Sequence, residues 1–323
     1  MAASPVLVIT SPDDWPTDRV VAELATRGVE VFRMDTADFP QSLALTGRID
    51  EASAWSGVLV TEHRTVDLAR IGAVFYRTPG QFLLPEGMSG PERRFAAAQA
   101  RAGLGGVLAA LDCRWVNHPT WMARAEYKPA QLAVARAAGL RIPATIVTNR
   151  ADDVRAFAEH LGGPVVCKAI ASPVLIEGGQ LKTVYTRRVA ADDLRDLQGI
   201  GTTAHLFQEW VEKAHEVRLT VVGERMFAVE IHAGSKAAYE DWRSDYGALT
   251  YTVTTVPDDV STGTLRLMRR MQLRYGALDF VVRPDGKWVF LEINPAGQWD
   301  WIEGATGVGI VQAIADELEG GAR

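Results

Sequence analysis

Short apolar runs and amphipathic stretches alternate along the first third of the chain. Pro5 to Thr10 is a run with the look of a buried strand. Thr17 to Arg27 carries its apolar residues at helical spacing, and Val29 to Arg33 returns to a strand pattern. A strand–helix–strand opening predicts a parallel sheet. Further strands are expected near Leu43 to Arg48, Ser56 to Thr61, Ala73 to Arg77 and Arg114 to Asn117, with a helix from Glu92 to Leu111. The first turn, Ser11 to Pro16, contains no glycine. It therefore lacks the close backbone approach that a dinucleotide pyrophosphate needs, and a structural role is expected for residues 1–118.

The pattern changes near Pro119. Ala123 to Ala138 reads as a helix, Ala144 to Thr148 as a strand and Asp152 to Leu161 as a helix with an acidic first turn. Pro164 to Ala169 and Thr183 to Val189 read as strands around a glycine-bearing loop, giving a small α+β module over 119–206. From Phe207 the chain is richer in strands: Phe207 to Val211, Glu216 to Val222 and Arg225 to His232. A helix at Thr262 to Tyr275, a hairpin of Ala277 to Arg283 with Trp288 to Asn294, and a closing helix at Gly309 to Leu318 complete a module over 207–323.

Composition narrows the function classes. The chain has 323 residues, 47% hydrophobic and 23% charged, enough for two or three packed domains. A net charge of −6 gives no support to nucleic-acid binding. No apolar run approaches a membrane span, and the N-terminus from Met1 has no basic region ahead of a long apolar one. Cys113 and Cys167, far apart and without ligand spacing, suit reduced thiols in the cytoplasm.

The sharpest chemical signal is the C-terminal hairpin. Asp285-Gly286 suggests a two-residue type I′ turn. With Pro284 opposite Lys287, counting outward sets Asp279 against Glu292, and Asn294 shares the face of Glu292. Facing carboxylates repel, and a divalent cation removes that penalty. All-oxygen donors of this kind suit Mg²⁺ shared with nucleotide phosphates. The count puts Phe280, Val282, Leu291 and Ile293 on the opposite, apolar face, and Val281 and Phe290 beside the acids.

Lys168 ends the apolar run Val165-Val166-Cys167, where a lone ammonium is costly unless an anion meets it; snorkelling from a strand edge is the other reading. Lys128, beside Pro129 at a helix start, opposes the helix dipole and suits either an anion or the surface. Gln208, Glu209 and Val211 end a strand, with Glu216 seven residues beyond Glu209. Such a segment can offer backbone groups to adenine and a carboxylate to ribose. Glu177-Gly178-Gly179-Gln180 can fold over phosphates or form a simple hairpin turn. His232 is a weak candidate for a general base, against a structural histidine.

From Pro119 to Gly309 the order and spacing of these signals resemble the ATP-grasp superfamily. The resemblance implies an ATP-grasp fold, α/β and α+β, with an N-terminal parallel-sheet domain and ATP held between two modules. Lys128 and Lys168 then look like the phosphate lysines, Gln208, Glu209 and Val211 like the adenine hinge, Glu216 like the ribose carboxylate, and Asp279, Glu292 and Asn294 like the Mg²⁺ ligands. Asp241-Trp242-Arg243 and Leu291 through Trp299 look, more narrowly, like segments of graspetide synthetases. These enzymes join Asp or Glu side chains of a ribosomal precursor peptide to Ser/Thr hydroxyls or Lys amines. The resemblance implies a precursor with leader and core as partner, a homodimer, and Arg218 and Arg243 at the acyl phosphate. Arg243 also suits a surface ion pair with Asp241 or Glu240, and Trp299 and Trp301 suit core packing or substrate contact. A ligase of amino acids or protein tails, and a non-catalytic ATP-binding scaffold, are the competing functions. The scaffold is disfavoured because each ligand position is filled.

Overall fold

The computed structural model describes residues 4–51, 53–171, 174–178 and 180–320. Four parallel strands form the N-terminal sheet, in the spatial order Val31–Met34, Val6–Ile9, Ala73–Tyr76, Arg114–Val116. Two of the expected strands are not in it. Ala44–Arg48 and Ser56–Val60 pair antiparallel with each other and with Thr65–Asp67 in a separate small sheet. Gly57 makes the close approach possible: it has φ +133°, and a Cβ there would lie 2.0 Å from Thr46 O.

The central module is a four-stranded antiparallel sheet, ordered Arg187–Arg188, Val165–Lys168, His205–Glu209, Thr145–Thr148. The boundary expected between 206 and 207 falls inside the His205–Glu209 strand, which belongs wholly to this sheet. The expected strand from Thr183 to Val189 is replaced by a hairpin, Val174–Glu177 with Gln180–Thr183, and the two-residue strand Arg187–Arg188. Gly178 has φ +59°, as a hairpin turn requires, while Gly179 of that loop lies outside the described residues.

Five antiparallel strands build the C-terminal sheet, ordered Leu249–Thr254, Arg225–Ala233, His215–Val222, Tyr275–Val282, Trp288–Asn294. Helices Lys128–Ala138 and Asp258–Met271 pack on one face through Leu132, Ala135, Leu267 and Met268 against Val217, Leu219, Phe280 and Phe290. Each such buried side chain contributes about 1.5–3 kcal/mol. The helix expected over Ala123 to Ala138 is two, Pro119–Ala125 and Lys128–Ala138. Tyr127 is extended, and Pro129, having no N–H to donate, sits in the first turn of the second helix. Asp258–Met271 starts four residues earlier than expected because Asp258 and Asp259 supply an acidic first turn, and Tyr275 opens a strand instead of closing the helix.

Helix Ile310–Glu319 joins the first and last parts. Ile310, Ile314 and Leu318 share a core with Val6, Val8 and Phe75 of the parallel sheet and with Tyr275 and Trp299. The central module has only a small core around Val154, Val165 and Phe207. Local packing therefore holds this module less firmly than the large cores hold the rest. Among the described residues no helix is long and apolar enough to cross a membrane.

Candidate active site

A cleft lies between the central sheet and the C-terminal sheet. Lys128, Lys168, Glu209, Val211, Glu216, Arg243, Asp279 and Glu292 all line it. Three residues named from the sequence do not. Gln208 is buried and donates to Thr145 Oγ1 at 3.0 Å, so it braces the hinge strand from behind. Arg218 lies behind Asp279. Asn294 pairs with Ala277 and shares the strand face of Glu292, beyond the cleft lining.

Asp279 is directly opposite Glu292, as the count from the turn gives, but by a different route. The turn is one residue longer. Val282 pairs with Trp288, Arg283 N donates to Lys287 O, and Gly286 alone takes positive φ (+78°) while Asp285 does not, so the turn is not type I′. A β-bulge at Leu291 then restores the step. The bulge corrects the faces too. Phe290 packs against Phe280, ring centroids 5.7 Å apart, in the helix-covered core, while Leu291 and Glu292 both line the cleft.

The two carboxylates are driven apart in acidity. Burial lifts Asp279 to about 7; Arg218, with Nε 3.2 Å from Asp279 Oδ1, opposes the lift, and Glu292 and Glu216 add to it. Burial also pushes Glu292 upward, but Lys128, Lys168 and Arg243 more than offset this and hold it below the usual range. Lys128 Nζ is 3.1 Å from Glu292 Oε2 and donates to Ala169 O at 2.9 Å, tying the two modules together. The surface reading of Lys128 is therefore wrong. Its helix is clamped to the metal-candidate strand by Gln131, whose amide donates to Ile293 O (2.9 Å) and accepts from Ile293 N (3.0 Å). Lys168 faces Glu292 and Glu216 without closing an ion pair to either, among the described residues, and burial lowers its pKa. A half-buried cation in the cleft with incomplete compensation suits an anion.

At the hinge, Glu209 N and Trp210 N are taken up by Ala144 O and Pro164 O, and no such bond ties Val211 N among the described residues. Glu209 is held further by its carboxylate, which accepts from Ala144 N at 3.2 Å. Val166, Val211, Val281 and Leu291 give this end of the cleft apolar walls. Glu216, lifted by burial and opposed by Lys213, forms an ion pair with Lys213. Sequence reasoning missed Lys213; its signal was a lysine three residues before an acid on a strand destined for burial.

The stretch after Gly234 is not a plain loop. Helix Lys236–Glu240 leads into a 3₁₀ turn at Trp242–Ser244. Trp242 is buried with Ile231, Ala238 and Leu249, and stacks on Trp301 with centroids 5.1 Å apart. That anchor presents Arg243, which grips Asp241 bidentately at 2.8 and 2.7 Å and still lines the cleft. Asp241 Oδ2 also accepts from Thr186 N of the central module at 3.0 Å. Arg243 is thus both the ion pair with Asp241 and a cleft residue. Arg218 Cζ lies 5.4 Å from the Trp242 ring and 5.7 Å from that of Trp301. Trp299 is a fully buried core residue against Phe75 and Tyr275, while Trp301 is half-buried. His232 lies beside His215, whose side chain points away from that of cleft residue Glu216, so it stands on the far face of the sheet. It is not placed to act as base in the cleft.

Comparison with known proteins agrees with this fold. Residues 5–123 match the MvdD pre-ATP grasp domain and residues 123–318 the RimK-like ATP-grasp domain. A RiPP-associated ATP-grasp ligase of Chryseobacterium gregarium, solved with ADP and a leader and core peptide, is similar with a TM-score of 0.89 and 29% identity, over 99% of this chain and 98% of that one. The macrocyclase MdnC of Microcystis aeruginosa MRC, bound with precursor peptide MdnA, is similar with a TM-score of 0.84 and 30% identity, over 97% of this chain and 99% of that one. A probable alpha-L-glutamate ligase of Picosynechococcus sp. is 28% identical over 206 residues, 61% of this chain and 64% of the relative, so that match spans less than two thirds of the relative's length. With two domain models covering nearly the whole sequence, the chain belongs to the ATP-grasp family, as a RimK-like ATP-grasp domain behind an MvdD-type pre-ATP grasp domain.

Proposed function

We propose that the protein is an ATP-dependent peptide macrocyclase of the graspetide-synthetase kind. The observation that carries this reading is the cleft itself: two facing carboxylates of split acidity, two lysines and Arg243 converge on one space, in a chain similar over its full length to peptide-bound ATP-grasp ligases. The oxygen donors of Asp279 and Glu292 fit Mg²⁺, with Asn294 next along the same face. When bound, that ion neutralises charge on the ATP phosphates.

The chain's own residues do the rest. Val211 meets adenine through its backbone, and Glu209 shapes the hinge. Glu216, steadied by Lys213, takes the ribose. Lys128 and Lys168 hold the phosphates. Arg243, fixed in plane by Asp241, binds a peptide Asp or Glu carboxylate with its guanidinium fork. A carboxylate oxygen attacks the γ-phosphorus, ADP leaves, and an acyl phosphate forms. A Ser/Thr hydroxyl or Lys amine of the same peptide then attacks the carbonyl carbon, and phosphate leaves carrying away the proton the nucleophile loses, giving an ester or amide ring. Orientation and exclusion of water supply the rate gain, because acyl phosphates hydrolyse. Arg218 acts from behind, holding Asp279. The same reading places the enzyme in the cytoplasm as a homodimer with a ribosomal precursor as partner.

The test is mass spectrometry of a short Thr-, Asp- and Glu-rich peptide, drawn from any such reading frame found beside the gene, after incubation with enzyme, ATP and Mg²⁺. Successive losses of water are expected. Gain of amino-acid masses instead would favour the glutamate-ligase reading, and an unchanged peptide would refute cyclisation.

A further inference from the structure

On the far face of the C-terminal sheet, away from the cleft, three polar side chains interrupt an apolar ladder. His215 on one strand lies beside His232 on the next, ring centroids 5.0 Å apart, and Glu230, opposite Val217, is two residues from His232 on the same face. Their neighbours on that face, Val217, Leu219 and Ala228, are core residues. The Glu230 carboxylate lies between the two imidazoles. Its Oε2 is 2.9 Å from His232 Nε2 and its Oε1 is 3.7 Å from His215 Nε2. One ligand atom from each of the three residues falls within 4.8 Å of the others. Ligand atoms on a tetrahedral Zn²⁺ stand roughly 3.3 Å apart, from Zn–N and Zn–O bonds of about 2.0–2.2 Å. The separations here bracket that value, so small side-chain rotations suffice. The backbone beneath is a regular antiparallel pair closed by the turn at Gly223 and Glu224, and its register holds the spacing of the ligands. Side-chain exposures of 18%, 21% and 40% leave the site open to solvent.

We propose that His215, Glu230 and His232 form a binding site for a divalent transition cation of the Zn²⁺ class, separate from the Mg²⁺ site of the cleft. Two imidazoles and one carboxylate select Zn²⁺ and its neighbours over Mg²⁺, which prefers the all-oxygen set on the other face. Three protein ligands leave a coordination position for water. The cation staples the His215–Val222 strand to Arg225–Ala233, directly behind Glu216, so its effect is on the rigidity of the hinge-side end of the sheet.

The experiment uses the tag-free full chain, stripped with chelator and held in saturating Mg²⁺ to occupy the cleft. ZnCl₂ is titrated by calorimetry, and Co²⁺ is titrated while visible absorption is recorded. One equivalent per chain is expected, with Co²⁺ ligand-field bands of a four- or five-coordinate nitrogen–oxygen site. His215→Ala and His232→Ala should each weaken binding by more than about tenfold, and Glu292→Gln should leave it unchanged. Circular dichroism of the histidine variants checks that they fold. Absence of saturable binding, binding that survives both histidine variants, or binding lost in Glu292→Gln would each overturn the proposal. None of these outcomes touches the ligase reading of the cleft.

Discussion

Replacing Glu292 by Gln should destabilise the nucleotide-free protein, although it removes one of two facing carboxylates. A cross-strand pair of acids considered alone suggests the opposite, a gain of about 0.2–1 kcal/mol. The surroundings reverse the sign. Glu292 has Lys128 Nζ at 3.1 Å, and Lys168 and Arg243 also favour its charge. Its side chain is 19% exposed and that of Lys128 23%, so solvent screens the pair only in part. A hydrogen bond to a charged group is worth about 1.5–3 kcal/mol. Relief of the repulsion with Asp279 returns a fraction of that, leaving a net loss of about 1–2 kcal/mol. The pH dependence follows from the direction of the shift. Glu292 is held below its ordinary 4.5, so its contribution is present above that value and disappears as pH falls through the lower folded-state pKa. The assay is thermal unfolding of wild type and Glu292→Gln without Mg²⁺ or nucleotide, at pH 7 and again near pH 4. A drop of about 1–2 °C per kcal/mol is expected at pH 7, shrinking toward pH 4. The same variant should make no cyclised product. A Glu292→Gln protein as stable as wild type at pH 7, or more so, would refute the charge balance derived for the cleft. Full turnover by it would refute the metal assignment.

Lys168→Ala should weaken ATP binding and leave leader-peptide binding nearly unchanged; calorimetry with each ligand checks this, and unchanged ATP affinity would remove Lys168 from the phosphate site. Arg243→Ala should bind ATP normally yet lose most cyclisation, and Arg243→Lys should rescue poorly for want of the planar fork. Asp241→Asn should resemble Arg243→Ala in product formed, since both Asp241 oxygens hold the guanidinium plane; near-normal product from either would sink the role given to this pair. Gln131→Ala breaks both bonds to Ile293 in a buried setting and should cost about 1–3 kcal/mol, read as a lower unfolding temperature; no change would mean that the helix bearing Lys128 is held by packing alone.

Counting outward from an assumed two-residue turn set Asp279 opposite Glu292, and the pairing holds although that turn does not form. A turn one residue longer than the Asp-Gly pair suggests and a bulge at Leu291 offset each other. The sequence does not reveal the bulge, since Phe290 and Leu291 are both apolar and either can face a core. Lys168 was legible because a cation ending a β-branched run needs a partner wherever the run is buried. Glu209, Val211 and Glu216 were named from the resemblance of one segment, and all three line the cleft. What tertiary structure decided are the pairings between segments far apart in sequence. Gln131 finds Ile293, Lys128 finds both Glu292 and Ala169, and Asp241 finds Thr186. His215 and His232 become neighbours only because their strands pair in one register. Such contacts leave no period in the sequence; each is a single polar side chain whose meaning is set by what the fold buries beside it.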